Sequence, residues 1–176
     1  LLTHEMIGQV IVLNDILKEI DPSRRVTHIV VMGTGEPFDN YDNVINFIKI
    51  ANSQFGLSIG ARHITVSTSG VVPGILRYGK EGLQVNLAIS LHAPNDEIRN
   101  KIMPINKAYP LKDLISTLKE YIAKTNRRVT IEYVMLNNVN DSVSNAYELA
   151  KLLKGMNVYV NLIPYNETEN IGFKRS

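Results

Sequence analysis

The stretch His28-Ile-Val-Val-Met-Gly-Thr-Gly-Glu-Pro37 decides the fold of this chain. Its apolar run is typical of a buried parallel strand, and the glycines at positions 33 and 35 let the backbone approach a ligand because they carry no Cβ atom. Glu36 then supplies a carboxylate, and Pro37 ends strand pairing because it has no N–H. Parallel α/β folds bind ligands at the carboxyl ends of their strands, so the stretch predicts a binding loop. Taken alone, it fits an ordinary turn with a solvated glutamate equally well.

Composition sets the outer limits of the interpretation. The chain has 176 residues, a formal net charge of +2 and no cysteine. This length suffices for one domain with a substantial core, so we expect a single domain over residues 1–176. The lack of cysteine excludes disulfides, thiolate metal sites and a cysteine nucleophile within these residues. No apolar run is long enough for a transmembrane helix and no signal peptide is recognisable, so no membrane association and a cytoplasmic location are expected.

Apolar periodicity alternates along the chain between the helical and the strand pattern. Helices are predicted over 5–20, from 39 or 40 to about 54, and over 72–78, 95–102, 111–123 and 140–153. Strands are predicted over 27–32, 62–67, 83–90, 129–136 and 158–163. Thr3 is expected to cap the first helix, Asn95 the fourth and Asn140 or Asp141 the last. Strands that alternate with helices indicate right-handed βαβ units and a parallel sheet.

The two faces of the predicted strands differ in polarity. The third strand presents Leu87 and Ile89 on one face, and Asn86, Ala88 and Ser90 on the other. An open doubly wound sheet should be apolar on both faces. A face of small and polar residues favours a curved, partial barrel around a wet cavity that holds a polar ligand.

Polar residues recur where later strands end. Ser67 starts a run of hydroxyls that either bind a carboxylate or ribose or cap the next helix. Ser90 ends the third strand, and His92 follows it as a ligand contact or an acid–base group. No ligand cluster surrounds that histidine in the sequence, so a metal site is not expected. Asn166 carries an amide that can read a nucleobase edge, or it is a surface turn residue.

Charged residues give weaker signals. Glu132 lies within an apolar strand and needs a partner, which Arg62 or Arg128 could supply. A basic cluster either contacts phosphates or forms a solvated helix face; it comprises Arg99, Lys101, Lys107 and Lys112. No nucleophile with a matched base is present, and no lysine lies on the inner face of a strand. Serine-hydrolase and Schiff-base aldolase chemistry are therefore not favoured.

Five segments together resemble the RlmN/Cfr family, and most closely the RlmN-type ribosomal RNA adenine-C2 methyltransferases. They are Met32–Pro37, Ser67–Pro73, Leu87–Arg99, Thr130–Leu136 and Asn161–Asn166. The resemblance implies a radical S-adenosylmethionine enzyme with a partial (β/α) TIM-like barrel that methylates adenine C2 of 23S ribosomal RNA through a methyl-cysteine intermediate. Transfer RNA as a second substrate stays open.

The same resemblance assigns roles to matching positions. Gly35 and Glu36 would contact the methionyl amino group of S-adenosylmethionine, and Ser67 the same cofactor. Ser90, Leu91 and His92 would line its nucleoside side, and Asn166 would contact the adenine. The family also uses a 4Fe-4S cluster, which we expect to be reduced by a flavodoxin-like electron donor.

One departure from the family pattern is large. The cluster-binding cysteines and the methyl-carrying cysteine of the family are absent from these 176 residues. No catalytic residue and no metal ligand is therefore assigned within the chain. We expect a central core fragment that lacks the first strand of the barrel, is inactive alone and self-associates through open sheet edges. A C8-methylating resistance paralogue and a non-catalytic S-adenosylmethionine-binding barrel module are the alternatives.

Overall fold

A computed structural model describes residues 1–167 and 172–176. Within them, the five strands form one sheet in the order β1-β2-β3-β4-β5. The pairs β1–β2, β3–β4 and β4–β5 are parallel. The strands are β1 (Ile29–Val31), β2 (Ile64–Thr68), β3 (Asn86–Ser90), β4 (Val129–Met135) and β5 (Val158–Pro164). The α-helices are α1 (Thr3–Ile20), α2 (Tyr41–Asn52), α3 (Val72–Tyr78), α4 (Asp96–Ile102), α5 (Leu111–Thr125) and α6 (Val143–Leu152). The predicted parallel α/β fold is confirmed.

Two compact units divide the chain, and the prediction of a single domain stays a prediction. The first unit contains Leu1–Ser67 and Leu83–Asn86. In it, β1 and β2 pair with Ile29 opposite Ile64 and Val31 opposite Val66. Helix α2 buries one face, as its helical spacing of apolar residues predicts; the face consists of Val44, Ile45, Phe47, Ile48 and Ala51.

The second unit contains Thr68–Gly82 and Leu87–Ser176. Its strands β3, β4 and β5 are in a register that aligns Ser90, Glu132 and Asn161 across the sheet. Helix α5 buries an apolar face that includes Leu114, Leu118 and Tyr121. On the face of the sheet that was predicted to line a wet cavity, Ala88 and Glu132 are 0% and 7% exposed, whereas Asn86 and Ser90 are half-buried. The wet cavity stays a prediction.

Two predicted helix caps are wrong. The N-cap of α1 is Leu2, and Thr3 lies inside the helix, where its hydroxyl donates to the Asn43 carbonyl oxygen at 3.1 Å. The N-cap of α6 is Ser142, whose hydroxyl oxygen accepts from the Asn145 N–H at 3.1 Å. Asn140 lies upstream of that helix with its side chain bonded to strand backbone instead. In both cases, the polar side chain forms its hydrogen bonds with a residue outside the helix that it was predicted to cap.

None of the helices in residues 1–167 and 172–176 is long and apolar enough to cross a membrane.

Edge strand β1 and helix α1 carry exposed apolar side chains in the first unit. Val30 and Met32 are 58% and 51% exposed, and α1 exposes Ile11, Leu13 and Ile16. An edge strand with exposed apolar residues can pair with another chain. We therefore expect the 176-residue chain to form concentration-dependent oligomers in sedimentation velocity. Val30→Lys should reduce them, and Lys18→Arg serves as a charge-preserving control. A monomer at every concentration would contradict this expectation.

Candidate functional site

The loop after β1 is open to solvent in the first unit. A Cβ atom placed on Gly33 or Gly35 would meet no heavy atom within 4 Å, and Gly33 has a φ of +66° that strongly favours glycine. Glu36 follows and caps a 3-10 helix over Pro37–Asn40, because its Oε1 accepts from the Phe38 N–H at 3.0 Å. One carboxylate oxygen is thus used to hold the loop. The loop presents exposed backbone beside a fixed negative charge.

Ser67 lies at the carboxyl end of β2 in the same unit. It is 5% exposed, and its neighbour Val66 pairs with Val31 of β1. Parallel pairing brings the ends of β1 and β2 to one edge of the sheet. The structure therefore places Ser67 at the same edge as the Gly35–Glu36 loop, as the sequence predicts.

In the second unit, the backbone of Leu91 and His92 extends the β3 pairing past Ser90. The Leu91 and His92 N–H groups both donate to the Glu132 carbonyl oxygen, at 3.1 and 3.2 Å. Leu91 is completely buried, whereas Ser90 and His92 are half-buried. His92 adopts the left-handed backbone conformation, with a φ of +58°. This conformation turns the chain sharply at the end of the strand.

The ring of His92 is fixed by a backbone donor. Its Nδ1 atom accepts from the Val134 N–H at 3.1 Å, which assigns the proton of the neutral ring to Nε2. Burial lowers the pKa of His92 to about 4, and the charge of Arg99 acts in the same direction. The imidazole is therefore neutral near pH 7. It can offer one N–H to a ligand through Nε2.

An apolar cavity of about 200 Å³ lies beside His92. Its other lining residues are Ile102, Met103, Val134, Leu136, Tyr165 and Phe173. The Tyr165 and Phe173 rings meet edge to face with centroids 6.4 Å apart. A cavity walled mainly by aromatic and aliphatic side chains suits a flat, weakly polar ring.

Asn166 lies directly after Tyr165 and is exposed. Tyr165 lines the cavity beside His92, so Asn166 follows a residue of the cavity wall. That Glu36, Ser67, Ser90 and Asn166 ring one common pocket stays a prediction.

Arg99 is not part of a phosphate-binding surface, so its assignment to the basic cluster is wrong. It is 0% exposed and donates to four acceptors in the second unit. They are the carbonyl oxygens of Ser69 at 2.6 Å, Leu91 at 3.1 Å and Ser90 at 3.3 Å, and Asn106 Oδ1 at 2.8 Å. Burial lowers its pKa to about 10, against an opposing effect of Asp96, so the guanidinium stays charged. The side chain joins the loop after β2 to the end of β3.

The remaining basic residues of the cluster are solvent-exposed, as the alternative of a solvated helix face predicts. Lys101 is exposed and pairs with Glu97 at 3.0 Å, and Lys107 and Lys112 are exposed. The sequence gives little warning of the difference, because Arg99 and Lys101 lie on the same short helix. The cap at Asn95, whose Oδ1 accepts from the Ile98 N–H at 3.0 Å, was the available signal. It fixes where α4 begins, whereas the burial of Arg99 on that helix depends on its packing.

Glu132 is paired with an amide and not with an arginine, so the predicted partners are wrong. Asn161 Nδ2 donates to Glu132 Oε2 at 2.7 Å, which follows from their direct opposition in the β4–β5 register. Arg128 instead lies over the Tyr159 ring, 5.7 Å from its centroid. Among the residues that the structure describes, no group of three or more histidines and carboxylates could hold a metal ion.

Comparison with known proteins relates the chain to one superfamily. The Radical SAM superfamily matches residues 5–150. The chain is 56% identical over 174 residues to a probable dual-specificity RNA methyltransferase RlmN of Spiroplasma citri, covering 99% of this chain and 50% of that protein. It is 58% identical over 166 residues to the protein of the same name from Acholeplasma laidlawii, covering 94% and 49%. The resemblance to RlmN-type proteins is confirmed, and the chain spans about half the length of the curated relatives it matches.

Two solved structures support the fold. A radical SAM methyltransferase from Sphaerobacter thermophilus superposes with a TM-score of 0.94 at 47% identity, over 99% of this chain and 51% of that chain. A domain of a pyruvate-formate lyase-activating enzyme from Bacteroides vulgatus gives a TM-score of 0.60 at 16% identity, over 86% of both chains. The second likeness concerns the fold alone. The predicted partial barrel of the radical S-adenosylmethionine type is confirmed.

The buried contacts of Arg99 predict a large difference between two cations of one helix. Arg99→Lys keeps the charge but cannot reach four acceptors, so buried carbonyl oxygens lose their donors. We expect its free energy of unfolding to fall by at least about 2 kcal/mol in urea titrations. Lys101→Met, the exposed control, should change it by less than about 0.5 kcal/mol. Equal effects of the two substitutions would contradict the buried role of Arg99.

The neutral state of His92 predicts a loss of stability in acid. Its pKa of about 4 in the folded state lies below the unfolded value of 6.5, so protons bind the unfolded state more tightly. The contribution is complete above about pH 6.5 and is lost as the pH falls towards about 4, by up to about 3 kcal/mol. Unfolding free energies of the parent and His92→Gln at several pH values measure the difference. Parallel pH profiles would show that His92 does not contribute it.

Proposed function

Because this chain belongs to the radical SAM superfamily, we propose that it forms the S-adenosylmethionine-binding part of an RNA methyltransferase. The superfamily uses S-adenosylmethionine together with a 4Fe-4S cluster. The observation that carries the proposal is chemical: strand ends in this chain present a carboxylate, hydroxyls and a neutral imidazole N–H. These are the groups that an amino acid joined to a nucleoside requires.

The first unit suits the amino-acid end of the cofactor. The Glu36 carboxylate is fixed by its bond to the Phe38 N–H, and the glycine loop before it is open. A fixed carboxylate can accept from a ligand ammonium group, and exposed loop backbone can bond its carboxylate. We therefore assign Gly35 and Glu36 to the methionyl amino group, with Ser67 nearby as a further hydroxyl.

The second unit suits the nucleoside end. The cavity beside His92 has aromatic and aliphatic walls, and the ring offers a single N–H through Nε2. We assign Ser90, Leu91 and His92 to the nucleoside, and Asn166 to the adenine edge. When bound, S-adenosylmethionine supplies the methyl group and the precursor of the radical. These residues bind and orient it.

The cluster requires ligands that these residues do not supply. The 176 residues contain no cysteine, and the described part of the chain offers no alternative set of three or more histidines and carboxylates. Any thiolate ligands to a 4Fe-4S cluster therefore come from outside this stretch of sequence.

The names of the relatives support the proposed substrate class. Because several of them carry the name dual-specificity RNA methyltransferase, RNA is the proposed substrate class. We assign adenine C2 of 23S ribosomal RNA as the main target, transfer RNA as a second one and a flavodoxin-like protein as the electron donor. The rival functions are C8 methylation and S-adenosylmethionine binding without transfer.

One substitution tests the cofactor site and the activity together. Glu36→Gln keeps an oxygen that can accept from the Phe38 N–H but removes the negative charge. In the complete, anaerobically reconstituted protein, we expect its affinity for S-adenosylmethionine to fall roughly tenfold or more by calorimetry, and methyl transfer to RNA to fall with it. Asp39→Asn removes an exposed carboxylate three residues further on and should leave both unchanged.

Mass spectrometry of the modified nucleosides separates the alternatives. 2-Methyladenosine supports the proposal, and 8-methyladenosine supports the resistance-type paralogue. Cofactor binding by the parent protein with no methylated RNA would leave only the binding module. No measurable binding of S-adenosylmethionine by the parent would overturn the proposal.

A further inference from the structure

Asn140 lies between β4 and α6, and its side-chain amide is hydrogen-bonded to backbone groups of other segments. It is 2% exposed. Its Nδ2 donates to the carbonyl oxygens of His92 and Val134, both at 2.7 Å, and its Oδ1 accepts from the Leu136 N–H at 2.7 Å. The Asn140 carbonyl oxygen accepts from the Tyr133 hydroxyl at 2.7 Å. The residue is thus held on both its side chain and its backbone.

Val134 connects this amide to the histidine ring. Its N–H donates to His92 Nδ1 at 3.1 Å, and its carbonyl oxygen accepts from Asn140 Nδ2 at 2.7 Å. The second Nδ2 bond of Asn140 reaches the His92 carbonyl oxygen. His92 and Asn140 are therefore both hydrogen-bonded to Val134 of β4 and to each other. This closed arrangement fixes where the His92 ring can lie.

We propose that Asn140 is a positioning residue for His92, holding its left-handed backbone and the tautomer in which Nδ1 accepts and Nε2 donates. A residue with a Cβ atom adopts a φ of +58° only when its surroundings hold it there. The bond from Asn140 to the His92 carbonyl oxygen supplies such a restraint. In that conformation the Val134 N–H reaches Nδ1 of the ring at 3.1 Å.

The consequence for chemistry is a restriction on what His92 can do. With Nδ1 occupied by a backbone N–H, the ring cannot use this atom as a base, and its Nε2–H remains as a fixed donor. Arg99 adds positive charge nearby, which further disfavours an imidazolium. On the proposed function, Asn140 would thus set the hydrogen bond that His92 offers to the nucleoside. The positioning itself does not depend on that function.

Nitrogen-15 NMR of the complete protein with labelled histidine tests the positioning directly. The two ring nitrogens differ in chemical shift according to which one carries the proton. In the parent protein we expect His92 to show a single tautomer with the proton on Nε2, unchanged from about pH 8 to about pH 6. A mixture of tautomers or the opposite one in the parent would overturn the proposal before any substitution is made.

Asn140→Asp gives the sharper comparison. It keeps the oxygen that accepts from the Leu136 N–H but loses both donor bonds, to His92 and to Val134. We expect a second His92 tautomer or an imidazolium signal at about pH 7, and an affinity for S-adenosylmethionine reduced roughly tenfold. Asn140→Ser, which removes the amide without adding charge, should also release the single tautomer.

A destabilised core serves as the matched control. Leu118→Ala creates a cavity beneath α5 and removes none of the hydrogen bonds of His92, Val134 and Asn140, so it should lower the melting temperature and leave the tautomer unchanged. An unaltered His92 tautomer in folded Asn140→Asp and Asn140→Ser proteins would overturn the positioning role. If the tautomer changes as expected but the parent does not bind S-adenosylmethionine, the positioning stands and the proposed function fails.

Discussion

The second unit depends on one buried cation. Arg99 is 0% exposed and lies where three backbone carbonyls converge at or just after the ends of β2 and β3. Loops at a sheet edge leave carbonyl groups without ladder partners, and each buried one costs about 1–3 kcal/mol if nothing donates to it. A guanidinium has five donors in a rigid fork, so one side chain satisfies several of these groups at once. The loop after β2 and the end of β3 are fixed by the same group.

Buried asparagine side chains also hold these loops by hydrogen bonds. Asn106 is 2% exposed, and it accepts from Arg99 and donates to Asp96 and Asn100, while Asn140 ties His92 to β4. Gly70 lies close by with a φ of +106°, and a Cβ atom there would lie 3.2 Å from Arg99 Nη2. The conformation favours glycine, and a Cβ atom would also lie 3.0 Å from Leu114 Cδ2, so a larger residue would require Leu114 or Arg99 to shift.

Local signals predicted much of the fold. The spacing in 72–78 gave α3 at its observed bounds, and Asn95 was identified as the cap of α4 from its position alone. The failures share one cause, which is that the partner lies far along the chain. Arg99 bonds Ser69, 30 residues away, and Asn140 bonds His92, 48 residues away. An isolated arginine or asparagine looks solvated or turn-forming in the sequence, because nothing local reveals its distant acceptor.

The same reasoning separates residues that face a ligand from those that support them. Among the proposed cofactor contacts, Glu36 alone carries a formal charge, since burial keeps His92 neutral and the others are uncharged. Screening by salt weakens an exposed charge but leaves neutral hydrogen bonds nearly unchanged. Affinity for the amino-acid end should therefore depend on ionic strength, while recognition of the nucleoside end should depend on how rigidly Arg99 and Asn140 hold their loops. Glu36 thus contributes electrostatic attraction to the ligand, whereas Arg99 and Asn140 fix the positions of the residues that contact it.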